Sequence, residues 1–190
     1  METTRASLLV RVGQNDSAAW REFDALYRPM LHRFARSRAL GEADAEDVTQ
    51  SCMAAISRHI HGFDYDPNKG RFKGWLRTLV NNHVRNLQRR RAAQLAESQD
   101  FKRPQQREMS PEDLFDRLWM ETHLKHCLRL IRAEVDPVTF RAFKSHVLEE
   151  RSVQQVCEEF ELTPNQVYKI KWRITRKLHE KMKELLGEIE

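Results

Sequence analysis

Apolar positions recur along most of this chain at steps of three, four and one. That is the spacing of amphipathic helices, not the alternation of strands. Trp20, Phe23, Leu26, Tyr27, Met30, Leu31 and Phe34 make one broad stripe. It predicts a helix over residues 16–40, capped by Asp16. Pro29 inside the stripe is expected to kink or divide it. Gly41 marks a turn. Val48, Cys52, Ala55 and Ile56 then predict a helix over about residues 43–60, with Asp44 as its cap. HGFDYDPNKGRF reads as a loop from its Gly, Asp, Pro and Asn content. A third helix is predicted from about Phe72 to Arg91, with Leu76, Leu79, Val80, Val84 and Leu87 towards a core.

Residues 96–113 are almost devoid of apolar side chains and read as a flexible linker. Beyond it, Leu114, Leu118, Trp119, Leu124, Leu128 and Ile131 predict one helix, whole or divided. Val138, Phe140, Phe143, Val147 and Leu148 predict the next. Two further helical patterns are separated only by Glu161–Thr163. Ser152 and Gln155 fit a capping box on the first. Thr163 and Pro164 fit the cap and first turn of the second. The expected fold is therefore all-α: two small helical domains, 1–95 and 114–190, joined by the linker 96–113. The second domain ends in a helix-turn-helix, with Leu162 plugging the angle between its helices.

Composition narrows the picture. The chain has 190 residues, six Gly, six Pro and a formal net charge of +5. The charge is concentrated. Residues 71–91 hold seven Arg or Lys and no carboxylate, and residues 169–183 form a second basic patch. Such patches attract nucleic acid or an acidic membrane surface. No apolar run is long enough to span a bilayer, and METTRASLLVRV does not fit a signal peptide. Cys52, Cys127 and Cys157 form no CxxC pair and read as reduced core or near-core thiols in a cytosolic protein.

Three groups of residues carry candidate chemistry. On the last helix, Asn165, Gln166 and Lys169 are placed to reach base edges in a major groove. Arg173, Arg176 and Lys177 are placed for phosphates. The bland alternative is a helical hairpin with a solvated basic face. Tyr168 and Trp172 could stack together or pack on the preceding helices, and packing is favoured.

On the 71–91 helix, Arg77, Asn81, Arg85, Gln88 and Arg89 fall mainly on one face. Phe63, Tyr65, Phe72 and Trp75 are aromatic platforms beside it, with Lys69 and Arg71 nearby. Such platforms beside positive charge hold unstacked bases. The alternative is that these rings are core, and for Trp75 core is favoured. The third group is acidic: Glu42, Asp44, Glu46 and Asp47, followed by Gln50. The helix dipole explains part of that; a protein-docking face explains the rest, with charge segregation directing nucleic acid elsewhere.

The segments LYRPMLHRFARSRALGEADAEDVTQSCMAAI, FDYDPNKGRFKGWLRTLVNNHVRNLQRRR and ERSVQQVCEEFELTPNQVYKIKWRITRKL together resemble a bacterial RNA polymerase sigma factor. The type is the extracytoplasmic-function one within the sigma-70 family. The first two segments are specific in combination; the third alone says only helix-turn-helix. The resemblance implies that Asp44, Asp47 and Gln50 dock on core RNA polymerase. It implies that the loop from Phe63 to Phe72, including Tyr65, Lys69 and Arg71, captures the single-stranded −10 promoter element. Arg77, Asn81, Arg85, Gln88 and Arg89 would assist. Asn165, Gln166, Lys169, Arg173, Arg176 and Lys177 would read the duplex −35 element. An anti-sigma factor is a partner class the family often has. Cys157 stands where the family often has Ala, and Tyr168, Lys171 and Trp172 are bulkier or more basic than its usual pattern.

An enzyme is not expected. His123, His126 and Cys127 come nearest to metal spacing but lack a fourth ligand, so neither metal nor cofactor is expected. No phosphate-cradling Gly-rich loop and no general acid–base pair stand out. The rival reading is a two-domain transcriptional repressor or activator that uses only the helix-turn-helix and is not a polymerase subunit.

Overall fold

The computed structural model describes residues 5–60, 71–96 and 109–186, and every regular element among them is helical. Helix α1 spans Arg5–Gly13, α2 Ser17–Ser37, α3 Glu42–His59, α4 Arg71–Ala96 and α5 Pro111–Glu134. Helix α6 spans Pro137–Phe143 and runs into a π-helical turn, Lys144–Leu148. Helix α7 spans Val153–Phe160 and α8 Pro164–Leu186. Two compact units, Met1–Thr122 and His123–Glu190, divide inside α5. Residues 114–122, expected in the second domain, thus belong to the first compact unit.

Local chemistry sets the boundaries. Asp16 caps α2 as expected, its carboxylate accepting from the Ala18 and Ala19 N–H groups at 2.8 and 3.1 Å. Pro29 lies within α2 without dividing it. Asp44 does not cap α3; the cap position is Gly41, with no side-chain bond, and Asp44 lies in the first turn. Helix α1 was not among the expected elements. Its Leu8, Leu9 and Val12 are buried.

The core of the first unit is aromatic. Phe23, Tyr27 and Phe34 of α2 are fully buried, as are Phe72, Leu76, Val80 and Val84 of α4. Those four α4 residues recur at steps of four and form one inner stripe. The start of α5 completes this core. Phe115 lies 5.6 Å from Phe34 and Trp119 lies 5.6 Å from Tyr27, centroid to centroid. Phe115, Leu118 and Trp119 are all buried. Each is worth roughly 1.5–3 kcal/mol of transfer energy, so this segment is a structural part of the unit.

The second unit has a smaller aliphatic core. Ile131, Phe143 and Ile174 form one cluster, and Ala142, Val156 and Val167 form another. Leu162 packs against the second cluster from the turn, as expected, and so do Cys157 and Phe160. Ser152 and Gln155 make a full capping box on α7. The α7–α8 turn depends on Glu161, whose φ of 53° is left-handed, and on the Leu162 N–H bonding the Cys157 carbonyl at 3.1 Å. That conformation closes the α7 C-terminus and redirects the chain within three residues.

Candidate functional site

On α3 the acidic residues separate into two groups. Glu42 pairs with His32 and Arg36, each at 3.2 Å, and Glu46 pairs with Arg28 at 3.5 Å. Asp44, expected on a docking face, is only 8% exposed, and its carboxylate meets the Arg91 guanidinium. Position 44 falls on the inner side of the first turn with Ala45 and Val48, and from there it ties the start of α3 to the far end of α4. Asp47 and Gln50 are exposed. Asp47 makes no ion pair among the described residues, so its charge is open to a partner. Asp47, Gln50, Ser51 and Ala54 face His83, Asn86 and Arg90 across a groove between α3 and α4. Burial, and then the charge of Arg58, hold the His83 pKa below its ordinary value.

On α4 the expected nucleic-acid residues also divide. Phe72 is fully buried, with its ring centroid 6.0 Å from Phe23 and 5.6 Å from Tyr27. It is a core residue in this structure, with no open ring face. Asn81 is 8% exposed and its amide donates to the Arg77 carbonyl at 3.0 Å. A carboxamide at that depth serves the helix it sits on. Gln88 is half-buried and donates to the Arg38 carbonyl at 3.0 Å, bracing the C-terminus of α2. Arg77 is half-buried and lies 3.8 Å from Asp116, which also holds Lys73 at 3.0 Å.

Arg85 and Arg89 are exposed and line a shallow depression with Asn82, Asn86 and Gln88. Arg89 donates to Asn86 at 2.6 Å. Trp75 is half-buried and lies 5.8 Å from the Phe72 ring. Phe63, Tyr65 and Lys69 lie outside the described residues, as does the side chain of Arg71.

Sequence reasoning missed Arg38. Burial, and then the positive charge of Arg85, depress its pKa from the ordinary guanidinium value. Arg38 follows the α2 stripe, where a helix-terminal cation is unremarkable by pattern; only the fold shows Arg85 near it.

In the second unit, Asn165, Lys169 and Arg173 are exposed on the outer side of α8, opposite buried Val167 and Ile174. Gln166 is exposed too, but its side-chain oxygen accepts from the Thr163 N–H at 2.7 Å and the Thr163 hydroxyl at 2.9 Å. It acts as the third-residue partner of a capping pair in the state described. Arg176 pairs with Glu180 at 2.9 Å, and Lys177 with Glu134 at 3.2 Å. Tyr168 and Trp172, expected to pack, are instead 54% and 64% exposed. They lie one turn apart on the outer face, away from the buried stripe.

Cys52 and Cys127 are buried, and burial pushes their pKa values up to about 12 and about 11. Neutral, shielded thiols of this kind are poor nucleophiles. His126 is buried and accepts from the Arg129 guanidinium through Nδ1 at 3.0 Å, so it is a neutral packing residue. Among the described residues no helix is long and apolar enough to cross a membrane.

The chemistry thus gathered is binding chemistry: an open carboxylate on α3, open guanidiniums on α4, and a cationic, aromatic outer face on α8. Residues 24–94, which run from α2 through α4 and include the first two of these groups, match the family model for sigma-70 region 2.

Proposed function

We propose that the chain is a sigma factor of the extracytoplasmic-function type, which binds core RNA polymerase and directs it to promoters. The observation that carries this reading is the sigma-70 region 2 match laid over the exposed Asp47 and Gln50 on α3 and the exposed Arg85 and Arg89 on α4. In this reading Asp47 and Gln50 dock on polymerase. Arg85 and Arg89, aided by Arg77, hold the backbone of the non-template strand at the −10 element. Phe63, Tyr65, Lys69 and Arg71 serve the captured base and its flanking phosphates. Opening a base step costs about a few kcal/mol; polymerase and a second promoter contact help to offset it, because linked contacts raise each other's effective concentration.

That second contact is the α7–α8 pair, a helix-turn-helix whose α8 enters the −35 major groove with Asn165 and Lys169. Arg173, Arg176 and Lys177 follow on phosphates, and Gln166 would have to leave its cap to reach a base. The two units, which divide within α5, would act as separate domains. The protein works as a binding factor in the bacterial cytoplasm, and an anti-sigma factor is the class of regulator that would cover these surfaces.

The test mixes the protein with its cognate core enzyme and a promoter library, then sequences the initiated transcripts. A defined start-site consensus is expected. Transcripts no different from those of core enzyme alone would reject the function.

A further inference from the structure

We propose that Tyr168 and Trp172 form an apolar strip on α8 that selects thymine in duplex DNA, by covering the C5 methyl groups in the major groove. This deepens the reading of α8 as the duplex-reading helix and rests on it. Tyr168 and Trp172, 54% and 64% exposed, make an apolar patch rimmed by charge, and patches of that kind mark interaction sites. The two residues sit four apart, so they share one face of the helix. They are separated by about 6 Å along its axis at a rise of about 1.5 Å per residue. Bases on one strand follow at about 3.4 Å, so the strip spans roughly two base steps.

The surroundings of the strip favour DNA as the occupant. Lys169, Lys171 and Arg173 flank it, are exposed, and make no ion pair among the described residues. The acids of the neighbouring α7 are committed locally, Glu158 to Gln154 at 3.0 Å and Glu159 to Arg151. A free cationic border around an apolar strip complements a groove walled by phosphates and floored with methyl groups. Arg176 lies 5.4 Å above the Trp172 ring, a cation–π contact that holds the indole and guanidinium together. In the major groove the C5 methyl marks thymine, and apolar side chains recognise it by contact.

The experiment uses holoenzyme reconstituted with core polymerase and a promoter recovered by transcript sequencing. Thymines of its upstream duplex element are replaced singly by uracil, which removes the methyl and nothing else. The wild-type complex is expected to bind about fourfold more weakly for each covered methyl lost. The double variant Tyr168→Ala/Trp172→Ala is expected to bind the thymine duplex more weakly and to be indifferent to uracil. Because both side chains are exposed, its circular dichroism spectrum should match the wild type.

Wild-type binding insensitive to uracil overturns the proposal, and so does a double variant that remains sensitive. A variant that loses polymerase assembly, or that abolishes self-association of the wild type, shows a protein occupant and overturns it too. Failure of the broader reading looks different: no footprint at any upstream duplex element would remove α8 as a duplex reader and this proposal with it.

Discussion

Helix α4 carries seven Arg or Lys between residues 71 and 91, and α8 carries seven between residues 169 and 183. By count they are equals. In α4, Lys73 and Arg77 face Asp116 of α5, and Arg91 faces Asp44 of α3. Much of its positive charge thus joins helices together, leaving Arg85 and Arg89 as open cations among the described side chains expected to meet DNA. In α8 the open and paired charges fall in separate halves. Lys169, Lys171 and Arg173 stand open near the start, while Arg176, Lys177 and Lys181 are paired with Glu180 or Glu134 further on. The aromatics follow the same division: Phe72 of α4 is sealed in a core, and Trp172 of α8 faces solvent. A basic helix advertises its charge in sequence, but the fold decides which charges remain available.

The largest expected difference tests the aromatics. Phe72→Ala removes a ring packed against Phe23, Tyr27 and Trp119 and should cost about 3–5 kcal/mol. Trp172→Ala should change stability by no more than about 0.5 kcal/mol. Hydrogen exchange followed by mass spectrometry, read separately on α2–α4 and α6–α8 peptides, would show this. Comparable losses of protection for the two variants would erase the contrast.

The next pair separates a structural acid from an open one only a turn away. Asp47→Arg should lower affinity for core polymerase roughly tenfold and leave the melting temperature unchanged, since charge repulsion at a docking face acts on association. Asp44→Ala should do the reverse. It should cost about 1 kcal/mol of stability, a modest figure because Arg91 remains solvated, and leave polymerase affinity within about twofold. Pull-down titration beside thermal melting distinguishes them; equal affinity losses would place Asp44 back on the docking face.

These pairs also show what the sequence could and could not convey. Local signals were readable: the Asp16 cap, the Ser152–Gln155 box and the Leu162 plug all depend on neighbours within a few residues. The helical periodicity gave the fold class for the same reason. Roles set by distant partners were not readable. Asp44 and Asp47 look alike until Arg91 arrives from another helix. Phe72 and Trp75 look like one aromatic pair until α2 and α5 bury the first. Phe115 and Trp119 read as part of a second domain, because nothing local says that Phe34 and Tyr27 await them. Tyr168 and Trp172 erred in the other direction: large rings suggest burial, yet Val167 and Ile174 already fill the inner face of α8.

Acid should weaken both units, through different histidines. Burial first, then the charges of Arg129 and Lys181, lower the His126 pKa below its ordinary 6.5. Burial and Arg58 do the same for His83. In each case the unfolded chain takes up the proton more readily than the folded one. The associated stability is therefore complete above pH 6.5 and is lost as pH falls from there towards the folded-state pKa. Melting temperature should fall between pH 7.5 and 5.5, with the fall reduced in His126→Gln relative to its own value at neutral pH. A melting temperature independent of pH over that range would mean that neither histidine is shielded.

The smallest effects come from exchanging backbone freedom between the two helices. A β-carbon built on Gly74 in α4 meets nothing within 4 Å. Gly74→Ala should therefore stabilise the first unit by roughly 0.5–1 kcal/mol, as expected for glycine removed from a helix interior. Ahead of α8 the residue types are reversed: Glu161 holds a left-handed φ of 53°, where a side chain is unfavourable and glycine is not. Glu161→Gly should stabilise the second unit by an amount of similar order, on the order of 0.5–1 kcal/mol. Both gains are measurable as denaturant midpoints. The sharper readout is transcription by the reconstituted holoenzyme. If Gly74→Ala gains stability but slows promoter opening, the missing side chain at the start of α4 leaves room for a DNA strand. If it gains stability with opening unchanged, that part of α4 is scaffold, and Arg85 and Arg89 further along the helix are the ones to vary next.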